Sequence, residues 1–596
     1  MSFYFNPLDE NCSNFGGSLK FGSAIKLTVF TDQADCSLVI ENDKSKETAV
    51  YAMESVNGGF SVVVKGLKIG LYYYHFISGT QKYIKGEDLT AKLSKDGRVD
   101  KFQLTVYDKN YNSPSWLGGG LIYQIFPDRF NKGRIDVDSK KLLRRWGDEP
   151  FYKPNSNGKI LNNDFFGGNF KGIEEKLNYL KSLGVTAVYL NPISKAFSNH
   201  RYDTANYLEI DELLGTEEDL KRLIKLAKKK NIRFIFDGVY NHTGDDSVYF
   251  NKYGNYKELG AYQSKNSKYY NWYTFQKHPE KYTSWWGINV LPTINKNSIE
   301  FEDYICEKVL PYYFNLGFEG VRLDVVDELP DRFVKRIRNA IKKLNKNAVI
   351  IGEVWEDATN KIAYGNRREY FQGFELDSVM NYPLKNAIIN FLIKGDSVEL
   401  KNLLREQLNN YPKSQLNILM NILGTHDTAR ILTVLSGVPV PNDRELAVLH
   451  SLTQQQLNLA TERLKLAYSL LFTLYGVPTI YYGDELGMQG AKDPFNRRCL
   501  DFEKRDNELV KFVKKLSKIR KENAVFNDGY TKVLETDNGV ISYVRGLNGE
   551  EITVIVNAKN YAYSVELQNP HKDLISGKIS TKFNLQKNSV YILKRR

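Results

Sequence analysis

Short apolar segments alternate with amphipathic segments through the middle of the chain, and this pattern predicts a barrel. Between the apolar segments lie stretches such as 172–184 and 329–345, in which apolar residues recur at helical spacing. Near-continuous apolar strands that alternate with helices favour a parallel sheet covered by helices. Eight strands predict an α/β fold, a (β/α)8 TIM barrel. The apolar segments span residues 121–126, 185–190, 232–240, 319–326, 347–355, 377–382, 416–427 and 477–485.

The two ends of the chain have a different pattern, which predicts β-sandwich domains. Residues 1–115 and 510–596 contain short β-branched and aromatic runs that Gly, Asn and Asp interrupt. The barrel is expected over residues 116–509. Within it, the irregular, Tyr- and Trp-rich segment 243–295 predicts an inserted subdomain after the third strand. The 596-residue chain is long enough for these three domains.

Charge and composition exclude several classes of partner. The net charge of +13 suggests nucleic acid, but the lysines are interleaved with acids in helical stretches such as 217–230, so a solvated helix face is the better interpretation. No apolar run reaches the length of a membrane span. The first residues have neither a basic region nor an apolar core of a signal peptide, so a cytoplasmic location is expected. The four widely separated cysteines predict free thiols: Cys12, Cys36, Cys306 and Cys499.

Polar residues follow the apolar strands at their downstream ends, where a barrel of this kind gathers side chains into one pocket. Arg322 and Asp324 lie two residues apart on a strand and therefore face the same side. Alone, they are equally consistent with a buried structural ion pair. Further strand ends supply matching groups: Asp237, Asn241, His242, Glu353, His426 and Asp427.

Four segments resemble the signature regions of the α-amylase family, glycoside hydrolase family 13. They are DGVYNH (237–242), GVRLDVVDE (320–328), GEVW (352–355) and GTHDT (424–428). The front β-domain and the segment LPTIN (291–295) make the chain most similar to the neopullulanase, cyclomaltodextrinase and maltogenic amylase group. The resemblance implies Asp324 as nucleophile, Glu353 as general acid/base and Asp427 as a third carboxylate.

The implied chemistry is retaining glycoside hydrolysis, which needs two carboxyl groups ~5–5.5 Å apart. Arg322 is expected to hold Asp324 ionised, because a nearby opposite charge favours the charged form. Trp286 is expected in an acceptor subsite, with a core position as the alternative. The resemblance implies further substrate-binding residues: His200, Tyr202, His242, His426, Asp493 and Arg497.

This chemistry requires no cofactor, although the resemblance includes a structural Ca²⁺ ion in some members. Glu328 and Asn295 occupy positions where secreted, calcium-dependent relatives have calcium ligands, which argues against that site. A second site after the first strand is the remaining hypothesis, with a solvated acidic loop as the alternative. The resemblance also implies a homodimer through the N-terminal domain. The calcium candidates are Asn131, Asp136, Asp138, Gly167 and Asn169.

The predicted function is hydrolysis of α-1,4 and some α-1,6 glucosidic bonds in maltooligosaccharides, cyclodextrins, pullulan or starch fragments, with transglycosylation as a side activity. The alternative is an α-1,6-preferring oligosaccharide glucosidase or a debranching enzyme. The segment LPTIN argues against the first of these, since exo-α-1,6 members have QPDLN there. A non-catalytic amylase-like binding subunit is disfavoured because all three carboxylates are present.

Overall fold

A computed structural model describes residues 3–95, 100–134, 141–156 and 158–595. Its centre is a closed barrel of eight parallel strands. The strands are Ile122–Ile125 (β1), Ala187–Leu190 (β2), Arg233–Gly238 (β3), Gly320–Leu323 (β4), Val349–Gly352 (β5), Ser378–Val379 (β6), Met420–Asn421 (β7) and Val477–Tyr481 (β8). Their order in the sheet is β6-β5-β4-β3-β2-β1-β8-β7. A parallel bridge between Met380 and Met420 joins the two outer strands and closes the cylinder. Each predicted apolar segment contains one strand, so the predicted TIM barrel is confirmed.

Helices surround the barrel, and local sequence determines several of them. In Glu217–Lys229, Thr216 and Asp219 form a capping box, and three acids in the first turn complement the helix dipole. The predicted helix at 172–184 is two helices that meet at Lys176. Among the described residues, no helix is both long and apolar enough to span a membrane. The main helices are Phe170–Glu175, Leu177–Leu183, Glu217–Lys229, Ile299–Tyr304, Leu310–Leu316, Asp331–Leu344, Tyr382–Lys394, Val398–Asn410, Gln454–Thr473 and Glu508–Glu522.

The N-terminal domain is two packed sheets. Phe5, Leu27, Tyr74 and Phe102 belong to the fully buried cluster between them. A seven-stranded sheet and a three-stranded sheet supply this core, because alternate side chains of each strand face inward. The first sheet contains Ser18–Lys20, Ser37–Asn42, Thr48–Ala52, Gly70–Ser78, Gln81–Lys85, Ala91–Leu93 and Phe102–Tyr107; the second contains Ile25–Phe30, Glu54–Val56 and Gly59–Val64.

The C-terminal domain is a six-stranded antiparallel sheet, in which all strands are hydrogen-bonded into one sheet. One face packs on the helix Gln454–Thr473, where Tyr543 and Thr473 share a hydrogen bond of 2.6 Å. The helix Glu508–Glu522 crosses the predicted border between barrel and C-terminal domain. The strands are Tyr530–Leu534, Val540–Leu547, Glu550–Asn557, Tyr563–Asp573, Ile579–Leu585 and Ser589–Arg595.

The segment 243–295, between β3 and β4, has little regular structure and packs around aromatic side chains. Its elements are short: Tyr270–Trp272, Phe275–Lys277, Lys281–Tyr282 and Trp285–Gly287. Backbone bridges pair His242 with Thr293 and Tyr273 with Ile294, so the segment leaves and rejoins the barrel at one place. That place is the carboxyl end of β3.

Glu375 is a fully buried carboxyl group that accepts no hydrogen bond from the described part of the chain. Its nearest cation is Lys335, 3.7 Å away. Burial raises the pKa of Glu375 to about 8. Because this folded-state pKa exceeds the unfolded value of ~4.3, the free energy of unfolding should fall as pH rises from about 5 to about 8.

We therefore expect Glu375→Gln to flatten the pH dependence of stability. Urea unfolding at pH 5.5 and pH 8.5 measures this dependence. Between these conditions the free energy of unfolding of the wild-type protein should fall by ~3 kcal/mol more than that of the variant. Equal losses in both proteins would contradict the prediction.

Candidate active site

A cavity of about 1500 Å³ opens at the carboxyl ends of the barrel strands. Asp324 directly follows β4, Glu353 directly follows β5, and Asp427 lies beyond β7. Parallel strands deliver such residues to one rim of a barrel, although they are far apart in sequence. Every predicted catalytic and substrate-binding residue except Arg322 lines this cavity: His200, Tyr202, His242, Trp286, Asp324, Glu353, His426, Asp427, Asp493 and Arg497.

Arg322 lies beneath the cavity and connects three carboxyl groups. Its Nη1 donates to Asp237 Oδ1 and to Asp324 Oδ1, each at 2.8 Å. Its Nη2 lies 2.8 Å from Glu353 Oε2, an ion contact without hydrogen-bond alignment. The guanidinium is fully buried, and Asp324 and Glu353 are each 6% exposed. Arg322 is therefore part of the site rather than one half of an isolated ion pair.

Arg322 lowers the pKa of Asp324, in the expected direction, but the other surroundings of Asp324 raise it. Burial raises the pKa of Asp324, Arg322 lowers it, and the negative charges of Glu353 and Asp237 raise it again. The net result is a pKa well above that of an ordinary aspartate. One guanidinium offsets only part of the desolvation and repulsion of three close carboxyl groups.

Glu353 is held from two sides. Its Oε2 accepts a hydrogen bond of 2.9 Å from the backbone N–H of Val325, and its Oε1 accepts one of 3.1 Å from Trp355 Nε1. Val325 has φ of 38°, a left-handed conformation that is strained for a β-branched residue. Trp355 in turn stacks on Tyr382, with ring centroids 3.9 Å apart. These contacts fix the carboxyl group facing the cavity.

Tyr202 and His426 form an aromatic wall beside the carboxyl groups. Their rings are parallel to within 8°, with centroids 5.1 Å apart. Tyr202 donates to Asp237 Oδ2 at 2.7 Å. Gln124 Nε2 lies 3.0 Å from His426 Nδ1, so Nδ1 is the acceptor and Nε2 carries the proton, 3.2 Å from Asp427 Oδ2. A flat ring beside fixed polar groups suits the face of a sugar.

The three histidines of the cavity are uncharged at neutral pH. Burial lowers the pKa of His200 and of His242 to about 3, and that of His426 well below its ordinary value. Neutral imidazoles act as directional hydrogen-bond donors and acceptors. The ring of His242 also stacks on Trp285 at 5.1 Å. The histidines can therefore hold hydroxyl groups without adding positive charge.

Arg497 lies beside His426, to whose backbone carbonyl its Nε donates a hydrogen bond of 3.0 Å, and it contacts two acids. Its Nη1 lies 3.0 Å from Asp493 Oδ1, and its Nη2 lies 3.8 Å from Asp427 Oδ1. The Asp427 side chain is 32% exposed, to the cavity, and the protein around it raises its pKa to about 7. Trp286 is 80% exposed at the cavity mouth, so it is not a core residue.

Asp237, which the sequence places at a strand end without a role, accepts hydrogen bonds from Arg322, Tyr189 and Tyr202. The signal for its role was its position at the end of β3, because Asp237 is in register with Arg322 of β4. Trp355 was also left without a role, although it follows Glu353 by two positions in a signature segment. Both position other groups of the site.

The described calcium candidates, Asn131, Gly167 and Asn169, take part in hydrogen bonds within the protein. Asn169 Oδ1 accepts hydrogen bonds from the backbone N–H groups of Gly172 and Gly133, and the Gly167 carbonyl accepts from Asn169 Nδ2. Asn131 Nδ2 donates to the Gly172 carbonyl. Asp136 and Asp138 lie outside the described residues. In the part of the chain that is described, no three His, Cys, Asp or Glu side chains are grouped to hold a metal ion.

A protein cation, Lys296, lies next to Asn295 in the chain and near Glu328, the two positions at which the resemblance placed calcium ligands in secreted relatives. Lys296 Nζ donates a hydrogen bond to Asn241 Oδ1. Glu328 accepts a hydrogen bond from Tyr364. A fixed ammonium group among these residues does not fit a divalent cation there.

Comparison with known proteins agrees with the geometry. The family model described as Alpha amylase, catalytic domain matches residues 124–517. The chain is 37% identical over 537 residues to an amylopullulanase of Thermoanaerobacter thermohydrosulfuricus, covering 80% of the chain but 35% of that protein. It is 32% identical over 495 residues to a cyclomaltodextrinase of Thermoanaerobacter pseudethanolicus, covering 81% of the chain and 78% of that protein.

A solved structure extends the similarity to the whole chain. The type III pullulan hydrolase from Thermococcus kodakarensis aligns with a TM-score of 0.71 and 25% identity, and the alignment covers 100% of both chains. The flanking β-domains are therefore part of a known arrangement around such a barrel.

Proposed function

The chain belongs to the α-amylase family, and from this premise we propose that it is a retaining hydrolase of α-glucans. The observation that carries the proposal is the pair Asp324 and Glu353, which share the guanidinium of Arg322 at 2.8 Å each. One guanidinium in contact with both carboxyl groups favours the short separation of retaining enzymes, ~5–5.5 Å, over the wider spacing of inverting ones. The cavity around the pair is large enough for several sugar units.

The reaction proceeds in two displacements. Asp324 attacks the anomeric carbon while Glu353 gives its proton to the glycosidic oxygen, which leaves with the bonding electron pair. The glycosyl ester on Asp324 is then attacked by water. Glu353 takes the proton of that water, and Asp324 departs as a carboxylate.

The proposed substrates are maltooligosaccharides, cyclodextrins, pullulan and starch fragments, cleaved at α-1,4 bonds and at some α-1,6 bonds. The names of the relatives, amylopullulanase, cyclomaltodextrinase and pullulan hydrolase, support this range. Transfer to a sugar hydroxyl instead of water follows from the same intermediate. An α-1,6-preferring enzyme remains the alternative.

Chromatography of pullulan digests distinguishes these functions. We expect panose, which results from α-1,4 cleavage. Maltotriose as the main product would indicate α-1,6 debranching and would contradict the proposed preference. No turnover of pullulan, maltohexaose or β-cyclodextrin would contradict the function itself.

A pH profile tests the role of Asp427. Its pKa of about 7 means that the carboxylate form, which accepts hydrogen bonds from sugar hydroxyls, is lost as pH falls through 7. We expect kcat/KM for α-maltosyl fluoride to decrease below pH 7, and Asp427→Asn to shift this acidic limb to lower pH. The reactive fluoride keeps the weak variant measurable. If the acidic limb of the kcat/KM profile stays at the same pH in Asp427→Asn, this role of Asp427 is contradicted.

We also propose that the protein is cytoplasmic and forms a homodimer through its N-terminal domain. Analytical ultracentrifugation over a range of concentrations would detect the dimer. A monomer at every concentration would contradict it.

A further inference from the structure

A β-hairpin after β5 reaches the mouth of the cavity. Its strands, Ile362–Ala363 and Asn366–Arg367, pair antiparallel. The two tip residues, Tyr364 and Gly365, both have positive φ, 51° and 78°, as a tight two-residue hairpin turn requires. Tyr364 is 66% exposed and lines the cavity. A tyrosine at positive φ is uncommon, so the surroundings must hold this tip in place.

One carboxylate joins this tip to the inserted segment. Glu328 Oε1 accepts a hydrogen bond from the Tyr364 hydroxyl and one of 3.4 Å from Trp286 Nε1. Trp286 also has positive φ, 50°. The exposed aromatic side chains of Tyr364 and Trp286, which belong to different loops, are thus hydrogen-bonded to the same carboxylate at the cavity mouth. Rings held open to solvent at a sugar-sized cleft offer stacking surfaces for pyranose faces.

The hairpin lines the same cavity as Glu353, the residue that is proposed to protonate the leaving group. It follows the same strand as Glu353, and Trp355, which bonds Glu353, stands between them in the chain. Because Glu353 protonates the departing oxygen, groups on its side contact the sugar that leaves or the sugar that accepts.

Two residues of the N-terminal domain form hydrogen bonds with the hairpin segment. Asp43 accepts two hydrogen bonds from Arg367, of 2.7 Å and 3.2 Å. Gln103 donates to Thr359 at 2.9 Å and accepts from Asn360 at 2.8 Å. Asp43 and Gln103 are 8% and 5% exposed, so both contacts are largely shielded from water. Two residues of the N-terminal domain therefore fix the two ends of the hairpin segment.

We propose that the hairpin 362–367 is a sugar-binding element for the leaving-group side, and that Asp43 and Gln103 are positioning residues for it. The N-terminal domain would thus position the element with which the same chain binds the acceptor sugar. The two charge-assisted hydrogen bonds between Asp43 and Arg367 fix the distance and the orientation of the hairpin relative to the N-terminal domain. The ring of Tyr364 needs such a fixed orientation to stack on a sugar. This inference rests on the proposed function.

A comparison of two substrates distinguishes sugar binding by the hairpin from the bond-breaking steps at Asp324 and Glu353. α-Maltosyl fluoride places no sugar on the leaving-group side, whereas maltohexaose places sugars on both sides. The informative quantity is the kcat/KM ratio of maltohexaose to α-maltosyl fluoride. We expect Asp43→Asn and Tyr364→Ala each to lower this ratio about 10-fold, equivalent to ~1.4 kcal/mol. The double variant should lose little more than Tyr364→Ala alone, because both act through one element.

Matched variants complete the experiment. Asp43→Glu, which keeps the carboxylate, should restore most of the ratio. Lys85→Met removes another contact between the N-terminal domain and the barrel, the 2.6 Å ion pair with Glu406, and should keep the wild-type ratio. If Asp43→Asn fails to fold, Arg367→Gln breaks the same contact from the barrel side.

Each outcome is informative. An unchanged ratio in folded Asp43→Asn or Arg367→Gln would overturn the positioning role, and an unchanged ratio in Tyr364→Ala would overturn sugar binding by the hairpin. An equal fall in Lys85→Met would show a general effect of domain contact and would also overturn the proposal. A wild-type protein that cleaves neither substrate would overturn the proposed function itself.

Discussion

Asp324→Asn is expected to lower kcat for maltohexaose by about 10⁴-fold or more while leaving the fold intact. The amide cannot form the glycosyl ester, so both displacements lose their nucleophile. Arg322 keeps Asp237 and Glu353 as partners, which limits the cost of leaving a buried cation with fewer carboxylates. Initial rates with high enzyme concentration, together with the melting temperature, measure the effect.

Asp377→Asn is the matched control for this variant. Asp377 is also a fully buried aspartate with an arginine partner, Arg338 at 2.8 Å, but it precedes β6 and therefore lies at the opposite rim of the barrel. Its replacement should reduce stability and leave kcat of the folded protein within a few-fold. Retention of more than a few per cent of activity by Asp324→Asn would contradict the assignment.

Glu353→Gln is expected to produce a loss that depends on the leaving group. Hydrolysis of maltohexaose should fall by roughly 10³-fold, because the sugar oxygen leaves poorly without a proton. Attack of Asp324 on α-maltosyl fluoride should be affected far less, since fluoride departs without protonation. The second displacement still lacks its base, so the glycosyl ester should accumulate. A burst of fluoride release followed by a slow steady state reports this directly.

Two results would contradict that role of Glu353. Equal losses on both substrates would show that the residue acts by structure or charge instead of proton transfer. Absence of the burst, with a fast steady state on the fluoride, would show that another group activates water. Trp355 and the Val325 N–H, which now bind the carboxylate, can still contact the Gln side chain in part.

The sequence pattern was sufficient for the barrel because each strand is buried on both faces. A continuous apolar run marks such a strand, and each of the eight runs contains one. It did not show that the helix 172–184 breaks at Lys176, nor that the C-terminal strands form one sheet. Strand partners distant in sequence, such as Tyr563–Asp573 with Ser589–Arg595, are set by tertiary register.

For the site, sequence order identified which side chains meet but not how they influence one another. The role of Asp237 depends on its register with Arg322, and the raised pKa of Asp324 depends on three carboxyl groups around one guanidinium. The contact of Asp43 with the hairpin joins residues 324 positions apart in the chain. A contact between residues so far apart cannot be predicted from the spacing of residues within one segment.

Identification of the residue that carries the covalent intermediate decides whether Asp324 is the nucleophile. Glu353→Gln protein is incubated with α-maltosyl fluoride, quenched in acid and digested, and its peptides are analysed by mass spectrometry. We expect one maltosyl ester, on Asp324. A maltosyl group on any other residue, or no ester together with a β-configured first product from the wild-type protein, would contradict it.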